Sequence, residues 1–312
     1  MKQEPTFLVC GEALMDVFPP DHRVQDATAE ARVGGSPFNV AIGLARLSQA
    51  VAFIGGISRD AMGEQLMQRL NAERVNTGWV ARSDAPTTRS VVAVDASGVP
   101  TFAFHGDGAA DREYSPDLLA QLPAVRALHV GSYALAVEPI ASTLRALIEQ
   151  RRGDALIAWD PNVRATVVPD ATTWRSVCDW MFGRVDVLKA SVEDVECLSP
   201  GTAPEAFAAA ALAAGVRLVV ITRGASGAAA WTPRVRAEVK AERVDVVDSV
   251  GAGDTFQAAL LTWLAEHERL TSDGAESLGV GALRDMLRFS SKAAAITCTR
   301  RGADLPRRHE LR

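Results

Sequence analysis

The chain has 312 residues, of which 48% are hydrophobic and 23% charged, with a formal net charge of −5. That much apolar material can bury a large core, which excludes a disordered chain and fits one large α/β domain or two smaller ones. The mild acidity offers no basic field for nucleic acid, because the cations are scattered except for a short tail holding Arg300, Arg301, Arg307 and Arg308. The longest apolar run, Ala206 to Ala214, is too short to span a bilayer, and Glu4 and Glu12 flank the only apolar stretch near the start, unlike a signal peptide. Cys10, Cys178, Cys197 and Cys298 lie far apart without zinc or disulfide spacing, so buried thiols and a cytoplasmic location are expected.

Phe7-Leu8-Val9-Cys10 reads as a buried strand that leaves through Gly11 into a turn with Glu12 and Asp16. Loops after parallel strands are where α/β sheets bind ligands, so two uses are open to Asp16, a turn or cap residue and a grip on vicinal hydroxyls of a sugar. At Val33-Gly34-Gly35-Ser36-Pro37-Phe38-Asn39 paired glycines let backbone approach a ligand, and Pro37 stands just inside a helix start leading into Val40 to Leu47. Asn39 both donates and accepts, which suits either a cap or a contact to a hydroxyl.

Val51 to Gly56 reads as a strand, and Asp60 to Arg74 as a helix with Met62, Leu66, Met67 and Leu70 on one face. Ser90 to Val94, the turn Asp95-Ala96-Ser97-Gly98 and Thr101 to Phe104 form a predicted hairpin. Its apolar residues on both sides need a second surface, be it a ligand pocket beneath, a partner subunit, or both. The α/β rhythm resumes with strand Ala127 to Gly131, helix Pro139 to Arg152 and strand Ala155 to Trp159, for which a parallel sheet is the economical reading.

That last strand ends in Asp160-Pro161-Asn162-Val163-Arg164, where Arg164 can bridge sugar or phosphate oxygens or pair with Asp160 or a surface carboxylate. Strands are also expected at Val185 to Leu188 and Arg217 to Thr222, the second followed by the tight turn Arg223-Gly224-Ala225-Ser226-Gly227. Phe289 to Arg301 is a predicted helix of small residues, suited either to close packing on the sheet or to a flat base sliding in.

Between these lies Asp248-Ser249-Val250-Gly251-Ala252-Gly253-Asp254-Thr255-Phe256. Phe256, Ala259, Leu260, Trp263 and Leu264 follow at helical spacing, so Gly251 to Gly253 sit at a helix N-terminus with unpaired amides and the positive dipole end. Asp254 in the first turn can accept a proton from an attacking hydroxyl while those amides take up charge on a transferred phosphoryl group. No Gly-Lys dipeptide occurs in the chain, which excludes a P-loop, and the missing third glycine argues against a dinucleotide-binding oxidoreductase.

The 248–256 run resembles the C-terminal signature of the ribokinase-like (PfkB) sugar kinases, D-x-x-G-A-G-D-x-F, and Gly34 through Asn39, Gly55 and Asp60 to Gly63 resemble the N-terminal one, with Ser48 where glycine is common. The resemblance runs from Gly11 to Gly302. It implies a single ribokinase-like domain over 1–312, a three-layer α/β/α sandwich around a mostly parallel sheet, with a β lid formed by about 12–33 and 86–112 that often makes a homodimer contact. It makes Asp254 the catalytic base and Gly251, Ala252, Gly253 and Asp254 the anion hole, and it places the sugar on Asp16, Gly34, Gly35, Asn39 and Arg164. ATP then falls to Lys189, Thr222, Gly224, Gly227, Ser291 and Gly302. Lys189 to Asp194 occupies the place of the family's N-x-x-E motif, which helps arrange Mg²⁺, and the departure to Ser191 and Asp194 leaves Asp194 as the metal candidate.

A K⁺ ion near the anion-hole loop is common in that family. Asp160 to Arg164, Lys189 to Ser191 and Gly108 to Arg112 resemble bacterial fructokinases, which makes ATP-dependent phosphorylation of fructose the leading expectation. The alternative is 2-keto-3-deoxygluconate kinase, whose relatives carry an aromatic residue and an arginine on the lid where this chain has Phe104 and His105. A non-catalytic sugar-binding relative is the alternative of another class, against which Asp254 and its intact glycine turn stand.

Overall fold

A strand covered on both faces is apolar at every position, and Phe7-Leu8-Val9-Cys10 is of that kind. In the computed structural model it is strand β1 (Phe7–Cys10), with all four residues buried. The structure describes residues 4–18, 30–94 and 100–311. Strands β2 (Leu14–Phe18) and β3 (Glu30–Gly34) precede helix α1 (Ser36–Arg46), which is followed by β4 (Val51–Ile54), β5 (Gly56–Ser58), α2 (Ala61–Ala72) and β6 (Ala81–Ser83). The hairpin β7 (Arg89–Val94) and β8 (Pro100–His105) leads to β9 (Ala127–Gly131), α3 (Ile140–Arg151), β10 (Leu156–Asp160), α4 (Ala171–Phe182), β11 (Val187–Ser191), α5 (Val192–Leu198) and α6 (Pro204–Ala213). The chain continues through β12 (Leu218–Thr222), β13 (Ala228–Trp231), β14 (Arg236–Val239), α7 (Ala252–Glu266), α8 (Ser272–Glu276) and α9 (Val280–Cys298).

The main sheet has eight strands in the order β14-β13-β12-β11-β10-β9-β1-β4. From β4 to β12 every pairing is parallel, while β13 and β14 join antiparallel at one edge. Alternate residues of each strand enter opposite cores. Leu8, Cys10, Leu128, Val130, Ile157 and Trp159 pack with α3, α4 and α6 on one face. Phe7, Val9, Ala127, Leu156 and Ala158 pack with α1, α2, α7 and α9 on the other. The result is the mostly parallel, helix-covered sheet that the sequence implied.

A second sheet of four strands, β3-β2-β7-β8, stands beside the C-terminal end of β1. It carries the described parts of the two segments expected to form a lid; residues 19–29 and the expected turn 95–98 lie outside the described residues. Its β2–β7 pairing is parallel and the other two are antiparallel.

Several boundaries differ from the sequence reading. Helix α1 starts at Ser36, with Pro37 just inside it as expected, and is capped by Gly35 at φ 107°, so Asn39 lies in its first turn. Strand β11 runs to Ser191 and so includes Lys189, because Lys189, Ala190 and Ser191 pair in register with Val220, Ile221 and Thr222 of β12. Helix α9 begins at Val280, nine residues before Phe289, because Leu283, Met286 and Leu287 give it an earlier buried face. Ser48, the departure from glycine, sits at φ 67°, a left-handed turn position that glycine adopts without strain.

Gly56, on β5, lies against the turn of residues 110–113. A Cβ there would lie 1.7 Å from the Ala110 carbonyl oxygen and 2.5 Å from that of Glu113. Neither backbone atom can rotate away, so Gly56→Ala should destabilise by at least the ~1–3 kcal/mol typical of overpacking. Urea titration monitored by tryptophan fluorescence measures it, and an unchanged midpoint would show that the 110–113 turn yields freely.

Candidate active site

The parallel strands end in polar residues on one edge of the sheet, Asp160 on β10, Ser191 on β11 and Thr222 on β12. Helix α7 begins at that edge. Its cap Gly251 has φ 78°, and a Cβ there would lie 2.6 Å from that of Ala303. Thr255 accepts this geometry by donating its hydroxyl to the Gly251 carbonyl at 2.8 Å. Asp248 fixes the loop from the other side, accepting the Val250 amide at 3.0 Å and the Gly302 amide at 2.8 Å. The Ala252 amide turns back to the Ser249 carbonyl at 3.2 Å, whereas the amides of Gly253 and Asp254 meet no backbone carbonyl among the described residues. The open donors are thus Gly253 and Asp254, with Gly251 making the turn.

Asp254 is 7% exposed. Its Oδ1 accepts the Ser36 hydroxyl at 2.6 Å and its Oδ2 accepts the Asn39 side-chain amide at 2.8 Å. Asn39, expected on the sugar, therefore holds the candidate base. Ser36 does the same, and nothing in the sequence analysis singled it out. A small hydroxyl between glycine and proline at a helix start is the signal that was available.

Asp16 on β2 is oriented by backbone shape. A Cβ on Gly34, in the paired strand β3, would fall 2.4 Å from Asp16 Oδ2. Burial raises the Asp16 carboxyl above its ordinary range, opposed by the Ser90 hydroxyl and the Arg164 guanidinium and reinforced by Asp254. A Cβ on Gly35 would strike the Glu12 carbonyl at 2.7 Å, so that glycine lets the β1 exit loop close on the α1 start. Arg164 is half-buried and donates to the carbonyls of Asn162 and Val163 at 3.2 Å. It does not pair with Asp160, whose Oδ2 takes the Lys189 ammonium at 2.7 Å.

On the far side of α7 lies a cavity of about 580 Å³ whose lining includes Thr222, Gly224, Gly227, Gly253, Phe256 and Ser291. Four of the residues expected to hold ATP therefore share one space with the anion-hole turn. Gly302 is not in the lining and instead anchors Asp248. Lys189 is also outside it, buried beneath Gly253. Asp194 closes a capping box at the start of α5: Oδ2 accepts the Ser191 amide at 2.8 Å, and Oδ1 accepts the Val163 amide at 2.7 Å. Both of its oxygens thus already serve backbone, and among the described residues no group of three or more His, Cys, Asp or Glu gathers to hold a metal. A larger groove of about 1000 Å³ lies at the opposite ends of the strands, around Arg46, Glu73 and Arg307, and contains none of these residues.

Glu12 completes the edge. It is 2% exposed, and its Oε1 accepts the Ser36 amide at 3.0 Å while Oε2 has no partner among the described residues. Burial pushes its carboxyl up to about 8, against the pull of its hydrogen bonds and of Arg164. It is thus a neutral acid at pH 7, sitting behind the serine that holds Asp254.

Comparison with known proteins shows the family to which the chain belongs. Residues 5–310 match the description "pfkB family carbohydrate kinase". A fructokinase from Rhizobium leguminosarum bv. trifolii is 37% identical over 282 residues, covering 89% of this chain and 85% of the relative. The crystal structure of fructokinase with bound ATP from Xylella fastidiosa superposes with a TM-score of 0.88 at 25% identity, covering 100% of this chain and 97% of that one. A double mutant of fructokinase from Vibrio cholerae O395, in fructose, ADP and potassium ion bound form, gives 0.83 at 28% identity, with 100% and 98% covered.

The Glu12 environment has a measurable sign. Between the ordinary glutamate range near 4.3 and about 8, the folded chain keeps a proton that the unfolded chain has released, so its contribution to stability falls as pH rises through that window. Glu12→Gln removes this term, and its melting temperature should fall less than that of the wild type between pH 5 and pH 9. Parallel slopes for the two proteins would show that the Glu12 carboxyl titrates normally.

Proposed function

From the chain's membership of the pfkB family of carbohydrate kinases, we propose that it is an ATP-dependent fructokinase, transferring the γ-phosphoryl group to the 6-hydroxyl of fructose to give fructose 6-phosphate and ADP. The observation that carries the reading is Asp254, a carboxylate set beside two open backbone donors, with the nucleotide-sized cavity on one side and Asp16 on the other. A carboxylate so placed takes the proton as the hydroxyl oxygen bonds to phosphorus and the bond to ADP breaks. The Gly253 and Asp254 amides lie where charge on the transferred oxygens would develop.

Asp16, Gly34, Gly35 and Arg164 are proposed to hold the sugar, with Asn39 acting on the base it touches. Thr222, Gly224, Gly227 and Ser291 are proposed to hold ATP, with Gly302 acting through Asp248. Mg²⁺ would neutralise phosphate oxygens and is proposed to be held mainly by those oxygens and by water, which suits an ion that keeps much of its hydration. Asp194 is proposed to act on it only through water, its oxygens being engaged by amides. A K⁺ requirement is part of the proposal, supported by the potassium-bound Vibrio cholerae structure.

One domain with the four-stranded sheet as its lid, and a homodimer joined through that sheet, complete the proposal. Ala31 and Ala103, exposed on β3 and β8, support a further contact there. No helix among the described residues is long and apolar enough to cross a membrane, and a cytoplasmic location is proposed.

ADP release from Mg-ATP should be measured with fructose, ribose, glucose and 2-keto-3-deoxygluconate, with and without K⁺. Turnover on fructose above the others is expected, and turnover on the keto-deoxy acid alone would overturn the choice of sugar. Asp254→Asn should lower kcat by the ~10²–10⁴ of a positioned acid–base group, with ATP and sugar KM little changed. Asp16→Ala should instead raise the fructose KM, and an unaltered KM would remove Asp16 from the pocket.

A further inference from the structure

Glu12 is the buried acid at this edge for which the reaction above has no use. Gly35, the cap of α1, has no side chain to receive the helix's first amides, and Glu12, from 24 residues before Ser36, accepts the Ser36 amide at 3.0 Å. Two glycines make this contact possible. A Cβ on Gly11, at φ 144°, would lie 2.5 Å from Pro37 Cγ, and one on Gly35, at φ 107°, would lie 2.7 Å from the Glu12 carbonyl oxygen. The exit of β1 is thus held directly against the start of α1.

An acid that caps a helix for stability alone does best ionised and exposed, where its charge meets the helix's positive end. Glu12 departs from that pattern. It is 2% exposed, Oε2 has no partner among the described residues, and burial favours its uncharged form at pH 7. The charged and titratable groups that face it are Arg164 after β10 and Tyr133 after β9, whose hydroxyl donates to Asp111 at 2.8 Å. The Ser132 hydroxyl lies close enough to pull on the carboxyl but makes no hydrogen bond with it. The field of α1 is therefore left to the carboxylate one residue further on, where the Ser36 hydroxyl donates to Asp254 Oδ1 at 2.6 Å.

We propose that Glu12 is the positioning residue for the base, holding the Ser36 backbone and, through the Ser36 hydroxyl, fixing the orientation and charge balance of Asp254. The inference rests on the kinase reading. Glu12 is assigned no contact with either substrate and exchanges no proton in the reaction. Uncharged, it holds Ser36 without placing a second negative charge beside the proton acceptor and the arriving phosphoryl group. Two carboxylates sharing so small a site would each oppose the other's ionisation.

The test uses the full chain with Glu12→Gln, Glu12→Leu, Ser36→Ala and the double variant Glu12→Leu with Ser36→Ala. kcat and KM for fructose and ATP are measured from pH 6 to pH 10, together with melting temperature and the carboxyl ¹³C resonance of Asp254, assigned by its loss in Asp254→Asn. Glu12→Leu, which fills the space without an acceptor, should lower kcat by roughly 10–10²-fold, as small misplacements of a catalytic group do, with both KM values little changed. Glu12→Gln still accepts the Ser36 amide and should recover most of that kcat at pH 7. The wild type should slow as pH rises through about 8, where Glu12 ionises, and Glu12→Gln should not. Because Glu12 acts through Ser36, the double variant should be no slower than the slower single one. Losses that multiply in the double variant would overturn the proposal, as would an alkaline fall in Glu12→Gln equal to the wild type's, or an Asp254 resonance that Glu12→Leu leaves in place. If Glu12→Leu does not fold, the pH profile of Glu12→Gln decides alone. Wild-type inactivity on every sugar would instead count against the fructokinase reading, while the Asp254 resonance still judges the link to Glu12.

Discussion

The site depends on one carboxylate shared by two helix beginnings. Asp254 belongs to the first turn of α7, and both its oxygens are held from the first turn of α1, by Ser36 and Asn39. A carboxylate at such a place is favoured by the positive ends of both helices and by their open amides. The arrangement requires the helices to approach closely. Gly43 provides this: a Cβ there would lie 2.7 Å from that of Ala258 on α7 and 2.6 Å from the side chain of Leu305. The spacing of α1 and α7 therefore fixes the distance from Ser36 to Asp254, and packing about a turn beyond Asn39 and Asp254 sets the geometry of the proposed base.

The sheet accounts for the rest of the placement. Because the strands from β4 to β12 run parallel, their C-terminal ends converge on one edge, and the side chains that leave the cores there are polar. Asp16 reaches the same edge from the smaller sheet. The cavity proposed for the nucleotide lies across α7 from it, so the helix that carries the proposed base would also separate the two substrates' spaces and offer its N-terminus to the group passing between them.

Much of this was legible in local pattern. The apolar runs ending in Cys10, Gly131 and Thr222 marked strands, and a glycine-rich turn before a helical repeat marked the start of α7. What was not legible depends on contacts distant in sequence. Ser36 and Asp254 are 218 residues apart, and no spacing rule links a serine before a proline to a carboxylate so far along the chain. The antiparallel edge strands β13 and β14 were missed because Ala228-Ala229-Ala230 has little β propensity and is held by pairing with β12. Helices α4 and α6 escaped notice for a related reason: their identity rests on Trp174, Val177 and Phe207 entering a core assembled by other elements. At Asp194 the motif position drew attention to a metal, while three residues earlier Ser191 already completed the pattern of a helix cap that went unread.

Several of the buried polar atoms without partners lie at or beneath the candidate site. Glu12 Oε2, Ser132 Oγ, His129 Nε2, Asp160 Oδ1 and Gln257 Oε1 are of this kind among the described residues and lie on or just after β1, β9 and β10 or in the first turns of α7, while others, on Arg69, Arg145 and Thr262, lie elsewhere. Each such group destabilises the fold by ~1–3 kcal/mol relative to a satisfied one. The apolar cores on both faces of the sheet tolerate that cost, and nothing in their packing calls for it. Charge kept dry beneath a turn with open amides is strongly felt by a charged group arriving there, since little water intervenes to screen it. The same burial that raises the carboxyls of Glu12 and Asp160 and keeps His129 neutral would thus suit the edge to the multiply charged phosphate proposed to bind there. Part of the unsatisfied polar burial of this fold therefore lies where its electrostatic effect on a reacting phosphoryl group would be greatest.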